Sequence, residues 1–290
     1  MKLAIASGKG GTGKSMTAAN LAFTLASDRL VSLVDCDVEE PNLHLFFPSK
    51  TTPRDVTLPI PVIDESVCTY CGKCGEFCRY GAISVLPKKI LFFADLCHSC
   101  GGCTLLCPEH AIHEVPKRIG TLSVSTPLPG LKLVTGTLDS GSPLAVPIIH
   151  AVKLEAESDP LVILDTAPGT SCPVVEALEG CDACILVTES TPFGLHDLEL
   201  AVDVTKRLGI PAAVIINRSD GKDEETLRFC EQQDLPVLLT IPFSREIAAV
   251  QSRGDLLCRA YPEWQKAFRL VFPVPPFPLT TAILIMTLPP

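Results

Sequence analysis

The sequence has no uninterrupted apolar run approaching the roughly 18 residues of a membrane-spanning helix, and none is expected. It also lacks a basic excess. Lys and Arg total 24 against 33 Asp and Glu, a formal net charge of −9. Phosphate neutralisation needs a basic face, so no nucleic-acid partner is expected, and the acidity is read as serving solubility. No secretory leader is expected. Met1-Lys2-Leu3-Ala4-Ile5-Ala6 is apolar but short and runs straight into a glycine loop, with no cleavage site. The tail, 273–290, is proline-rich and apolar, and it lacks the basic residues of an amphipathic membrane anchor. It reads as a packed or poorly ordered extension. The expectation is a cytoplasmic protein in a reducing compartment with no stable membrane anchor.

Cysteine is abundant, at 14 residues. Eight of these fall between Cys68 and Cys107 in two tight clusters, a metal-ligand spacing rather than a disulfide framework. The runs are Cys68-x2-Cys71-x2-Cys74-x3-Cys78 and Cys97-x2-Cys100-x2-Cys103-x3-Cys107-Pro108, 29 residues apart. The register continues through Ala82/Ala111, Ile83/Ile112, Pro87/Pro116, Lys88/Lys117 and Ile90/Ile119, so the segment is an internal repeat. Both runs match the bacterial two-cluster ferredoxin pattern. There, three close cysteines hold one [4Fe-4S] cluster and the fourth reaches the other. That crossing gives Cys68, Cys71, Cys74 and Cys107 to cluster one, and Cys97, Cys100, Cys103 and Cys78 to cluster two. Zinc is the alternative, but its cysteines usually arrive as two separated pairs. Arg79 stands where the pattern expects proline, and a cation close to a cluster favours its reduced form. His98 reads as an exposed loop residue. Cys181-x2-Cys184 reads as core packing, because Cys184 opens an apolar strand.

Elsewhere, strands alternate with helices. Strands are expected at Leu3–Ser7, Val31–Val34, Leu161–Leu164, Ala183–Val187, Ala212–Ile216 and Val237–Thr240. Helices are expected at Ser15–Ala26, Leu195–Leu208 and Glu224–Gln233. The pattern predicts an α/β P-loop NTPase fold with a mostly parallel sheet covered on both faces, interrupted by a small α+β ferredoxin-like domain. The expected division is 1–58 and 120–272 for the ATPase portion and 59–119 for the insertion. The stretch holding Pro48, Pro53, Pro59 and Pro61 reads as a linker.

Gly8-Lys9-Gly10-Gly11-Thr12-Gly13-Lys14-Ser15 satisfies G-x-x-x-x-G-K-[ST], after a strand and opening a helix. Its glycines let successive N–H groups face phosphate oxygens, and the helix N-terminus adds its positive end. Lys14 is expected on the β- and γ-phosphates and the Ser15 hydroxyl on magnesium, with Thr17 also among the nucleotide-binding residues. Asp165 closes a strand at the ligand edge of the sheet and fits the role of holding magnesium.

With Lys9 inside the loop, the sequence resembles the deviant-Walker family of MinD, ParA, Mrp and the nitrogenase iron protein. Asp35-Cys36-Asp37-Val38-Glu39-Glu40-Pro41-Asn42-Leu43-His44 resembles its ferredoxin-containing branch, and Asp165-Thr166-Ala167-Pro168-Gly169-Thr170 resembles its switch II loop. The resemblance implies a nucleotide-dependent homodimer that sandwiches two ATP molecules, with Lys9 reaching the partner's nucleotide. It implies that Asp37 orients the attacking water and that Asp35 supports the metal site. The N–H of Gly169 would sense the γ-phosphate. Asn217, followed by Arg218, resembles the family's adenine-contacting asparagine. No C-x2-C follows Asn217, where Mrp-type scaffolds carry one.

These features predict an ATPase that binds ATP or ADP, magnesium and two [4Fe-4S] clusters. The favoured task is ATP-gated electron transfer to an unidentified redox partner. Alternatives are maturation of a client metalloprotein and ATP-driven positioning with structural clusters.

Overall fold

A computed structural model describes residues 1–272 and the backbone of Leu284–Ile285; the expected tail otherwise lies outside the described residues. The chain opens with strand β1 (Lys2–Ala6), helix α1 (Lys14–Leu25) and strand β2 (Val31–Asp35), then β3 (Arg54–Ile63). The cysteine segment holds α2 (Lys73–Phe77), β4 (Ile83–Leu86), β5 (Lys89–Phe92) and α3 (Gly102–Leu106). Strands β6 (Ile112–Leu128) and β7 (Leu131–Leu138) lead into α4 (Val146–Glu155), β8 (Val162–Asp165) and α5 (Cys172–Leu178). There follow β9 (Ala183–Thr188), α6 (Pro192–Arg207), β10 (Ala212–Ser219), α7 (Glu224–Gln232) and β11 (Val237–Pro242). Helices α8 (Arg245–Ser252), α9 (Leu257–Ala260) and α10 (Trp264–Val271) precede β12 (Leu284–Ile285).

The main sheet runs β12-β11-β10-β9-β1-β8-β2-β7-β6-β3. It is parallel from β12 to β7, and β6 and β3 join antiparallel. Strand side chains alternate between two cores, as a period of two requires. Leu3, Ile5, Leu33 and Ile163 pack on one face with α1 and with Trp264 and Phe268 of α10. Ala4, Ala6, Val34 and Leu164 pack on the other with Ile148 and Ile149 of α4, Val174 of α5 and Leu198 of α6. Central strands covered on both faces are continuously apolar, which is why the expected strands β1, β2, β8, β9, β10 and β11 all form.

The linker expected around Pro53–Pro61 is corrected. Residues Arg54–Ile63 form the edge strand β3, whose residues alternate between exposed and half-buried. Proline is tolerated there because an edge strand leaves one row of backbone groups without a ladder partner. Pro59 lies opposite Pro116 in the ribbon that β3 makes with β6.

That ribbon carries the cysteine segment. Gly120 of β6 pairs with Leu138 at the end of β7, whereas Ile112 pairs with Ile63 farther along. The first half of β6 therefore projects beyond the carboxyl edge of the parallel sheet. At the base of the ribbon, Leu138 N–H donates to Val38 O (2.8 Å) and Asp139 N–H to Ile119 O (2.9 Å).

The 29-residue repeat is visible in the backbone. Helices α2 and α3 occupy equivalent positions, and the Ile83/Phe92 pair of β4 and β5 corresponds to the Ile112/Ile63 pair of β6 and β3. Left-handed residues recur at the same offset: Tyr70 and Ser99 (φ 55° and 53°), Gly72 and Gly101 (84° and 71°), Gly81 and His110 (66° and 51°). A separate small core of Ile83, Ile90, Cys103 and Ile112 holds the segment together.

Gly120 sits where β6 passes beneath α4. An added Cβ would collide with the Thr137 carbonyl oxygen and Ile148 Cδ1. Gly120→Ala should destabilise the chain by about 1–3 kcal/mol, measured as a lower thermal midpoint with nucleotide affinity of the folded fraction unchanged.

Candidate functional site

The carboxyl ends of β1, β8 and β2 meet in one register: Ile5 pairs with Asp165, and Asp165 with Asp35. The loop Gly8–Gly13 follows β1 and turns into α1 through Gly13 at φ 98°. Lys14 begins the helix and is buried against this rim, with Thr12 and Thr17 also buried. Burial raises the Asp165 carboxyl to about 6, and the Lys14 ammonium opposes the rise. Burial likewise raises Asp37, again opposed by Lys14. The Lys14 charge thus acts on two of the three aspartates that the sequence analysis selected, Asp165 and Asp37.

Asp35 has a different task. Its carboxylate accepts N–H bonds from Asn42 and Leu43 at 3.0 Å, and from Asp37 at 3.3 Å. It shapes the loop that carries Asp37; burial, and after it the neighbouring Asp165 charge, raise the Asp35 carboxyl well above its ordinary value, and the Leu43 and Asn42 N–H bonds offset this only in part.

Asp165 is fully buried and neither carboxylate oxygen has a hydrogen-bond partner among the described residues. A buried orphan carboxylate next to a lysine and the Ser15 hydroxyl suits a hard divalent cation with oxygen ligands. Magnesium therefore fits Ser15 and Asp165. The hydroxyls of Thr12, in the loop, and Thr17, in α1, are also buried without partners among the described residues.

Four expected residues are engaged in ways their spacing does not reveal. Asn217, at the end of β10, donates from Nδ2 to the Thr12 carbonyl at 2.7 Å, tying the phosphate loop to a strand 205 residues away. The Gly169 N–H donates to Ser7 O at 3.0 Å, so it is occupied within the chain. Arg218 has φ 55° and bonds Glu189 at 2.6 Å, and Lys9 pairs with the same carboxylate at 3.3 Å. Glu189 was not singled out by sequence. It follows β9 directly, and that strand-end position was the available signal.

In the cysteine segment the two runs cross. Cys78, Cys97, Cys100 and Cys103 line one cavity of about 130 Å³. Cys68, Cys71, Cys74 and Cys107 line a second. These are the two quartets expected from the sequence. Backbone N–H groups point at thiol sulfurs in both halves: Tyr70 to Cys68 and Ser99 to Cys97 at 3.4 Å, and Ala111 to Cys107 at 3.3 Å. Among the described residues, no group of three or more Cys, His, Asp or Glu converges on a point suited to one metal ion. A cubane binds each thiolate at a separate iron, so its ligands surround a volume instead of a point. The donor set suits such a group, while the second cavity, at about 20 Å³, is much smaller than the first.

Arg79, Tyr80 and His98 line the first cavity, with the Tyr80 and His98 rings stacked at 3.6 Å. His98 is exposed, as expected, though its ring is not free. Cys181 and Cys184 are buried, and burial raises their thiols, Cys181 to about 11. They are core residues held as thiols. None of the described helices is long and apolar enough to cross a membrane.

The family model described as the CobQ/CobB/MinD/ParA nucleotide binding domain matches residues 3–257. Two uncharacterized proteins of Methanocaldococcus jannaschii are similar in sequence. One is 35% identical, covering 88% of this chain and 90% of the relative; the other is 30% identical, covering 89% and 90%. Among solved structures, the septum site-determining protein MinD from Pyrococcus horikoshii OT3, complexed with Mg-ADP, superposes with a TM-score of 0.58 at 20% identity. The match covers 93% of both chains. A ParA family ATPase from Chlorobium tepidum TLS gives 0.56 at 19% identity, over 93% of this chain and 96% of that one. At these identities the likeness establishes the fold: an α/β P-loop NTPase with a mostly parallel central sheet.

Asp165 ionises near pH 6 when folded and in the ordinary carboxylate range once unfolded. Its charge therefore weakens the metal-free fold above about pH 6, by up to roughly 3 kcal/mol, and that cost fades as pH falls toward 4. Asp165→Asn should raise the thermal midpoint of metal-free protein at neutral pH and lose the advantage in acid. Magnesium with ADP should stabilise the wild type and not the variant.

Proposed function

The chain belongs to the CobQ/CobB/MinD/ParA nucleotide-binding family, and on that premise we propose a magnesium-dependent ATPase whose nucleotide state gates electron transfer. The electrons would pass through an inserted, ferredoxin-like unit with two [4Fe-4S] clusters. The observation that carries the reading is the crossed grouping of the eight cysteines around two cavities, projecting from the nucleotide edge of the sheet. The proposed division remains 1–58 and 120–272 for the ATPase portion and 59–119 for the insertion, with the ribbon of β3 and β6 spanning both boundaries.

In the ATPase portion, the backbone N–H groups of Gly8, Gly10, Gly11, Thr12 and Gly13 would hold the phosphates, with Lys14 balancing β- and γ-phosphate charge. Ser15 and Asp165 would hold magnesium, and Thr17 would contribute its buried hydroxyl. Asp37 would orient the water that attacks the γ-phosphorus in line as the bond to the β-bridging oxygen breaks. Asn217 and Arg218 would flank the base, Asn217 using its carbonyl oxygen because its amide is committed to Thr12. Gly169 would leave the Ser7 carbonyl to meet the γ-phosphate, and Lys9 would reach the nucleotide of a second copy.

The clusters, when bound, supply one-electron transfer. Cys68, Cys71, Cys74 and Cys107 would hold one and Cys97, Cys100, Cys103 and Cys78 the other, with N–H bonds to their sulfurs tuning potential. Arg79 beside the second quartet favours its reduced form. The redox partner is a protein that accepts or donates single electrons. A second reading is cluster delivery to a client metalloprotein, favoured by the exposure of Cys71 and Cys100, one in each quartet.

Anaerobic electron paramagnetic resonance of the reduced protein, with ATP, with ADP and with neither, tests the gating. A nucleotide-dependent change in spectrum or potential is expected; two clusters blind to nucleotide would sink the gating reading. Transfer of iron to an apo-acceptor would favour delivery instead. Lys14→Ala should lose more than tenfold in turnover or nucleotide affinity. Cys103→Ser should lose one cluster selectively, and an unchanged iron content would refute the ligand assignment.

A further inference from the structure

Lys9 does not extend freely from the phosphate loop. Its Nζ lies 3.3 Å from Glu189 Oε2, and the other oxygen of that carboxylate takes the Arg218 guanidinium at 2.6 Å. The Glu189 side chain is only 14% exposed, against 31% for Lys9. Its backbone is fixed as well. Thr191 N–H donates to the Glu189 carbonyl at 2.8 Å, and Gly194, at the start of α6, packs against that carbonyl where no Cβ fits. At the other end, the Lys9 carbonyl accepts the Ser7 hydroxyl at 2.7 Å. The loop lysine is thus held at its backbone and at its tip.

We propose that Glu189 is a positioning residue that holds the Lys9 ammonium on its own subunit, setting a threshold for association of two copies. This rests on the reading that Lys9 reaches a partner's nucleotide. To do so, Lys9 must exchange a carboxylate for phosphate oxygens. A shielded carboxylate of unit charge competes poorly with a triphosphate and better with a diphosphate, whose charge is smaller and which lacks the terminal group. The pair therefore favours separation with ADP and yields to ATP. Arg218 shares the carboxylate, which keeps Glu189 in place after Lys9 departs.

Sedimentation equilibrium of the full chain, with magnesium and a non-hydrolysable ATP analogue, tests this. Glu189→Gln removes the charge that retains Lys9. An ion pair of this exposure is worth roughly 2–5-fold in each subunit, and two pairs break per dimer. The dimer dissociation constant should fall about 4–25-fold, and the variant should also dimerise measurably with ADP. In a Lys9→Ala background the Glu189→Gln effect should vanish, a coupling that a merely structural role would not produce. An unchanged or raised dissociation constant in folded Glu189→Gln would overturn the proposal. If that variant does not fold, Glu189→Asp, which withdraws the carboxylate by one methylene, is read with the same signs. Normal dimerisation by Lys9→Ala alone would remove the trans reading itself. Impaired Lys9→Ala beside an unaffected Glu189→Gln would remove only the threshold.

Discussion

Everything at the nucleotide rim depends on the parallel register that sets Ile5 beside Asp165 and Asp165 beside Asp35. A shift of one residue would turn Asp165 and Asp35 toward opposite faces and bury the loop glycines where apolar side chains belong. The register is enforced from both sides of the sheet, since Leu3 and Ile163 enter one core while Ala4 and Leu164 enter the other. With it fixed, the cost of confining two carboxylates in the interior is met by different means. Asp35 is satisfied by backbone N–H groups, whereas Asp165 is left without a partner, which gives a cation a reason to bind.

The cysteine segment obeys a second constraint of its own. Its residues bury little apolar surface, and its core consists of four small or medium side chains. Duplicated turns with left-handed residues at matched positions aim N–H groups inward at sulfur. The halves are not equal. The quartet with Cys78 is bordered by Arg79 and Glu114 and by the stacked rings of Tyr80 and His98, whereas Lys73, Glu109 and Tyr70 border the other.

The phosphate loop, the strand-end aspartates and the cysteine repeat were legible in the sequence because each is local: its chemistry is written in residues within one turn or one period. Strands β1, β2, β8, β9, β10 and β11 were legible because burial on both faces makes them uniformly apolar. Strand β3 was hidden by prolines that an edge position tolerates, and β7 by polar residues and Gly136 within a strand covered by α4. The contacts that finish the rim were not legible, since Asn217 to Thr12 and Glu189 to Lys9 join residues far apart in sequence. Trp264 and Phe268, among the largest buried side chains, also escaped notice, because a short amphipathic helix beside a proline-rich tail announces no core.

The hydrogen bonds from Leu138 to Val38 and from Asp139 to Ile119 make the ribbon of β3 and β6 a lever with its fulcrum at the active-site loop. Val38 follows Asp37 directly, so any displacement of that loop would be passed to the foot of the ribbon. At about 3.3 Å per residue, the arm from Gly120 to Ile112 is about 26 Å long. A tilt of roughly 5° at its base carries the tip through about 2 Å. Antiparallel pairing runs the length of the arm, with one register shift at its foot between Val56 and Thr57, where Arg118 bridges Asp55 and Asp139. A small rearrangement at the base would thus become a displacement of a few ångströms at the cysteines.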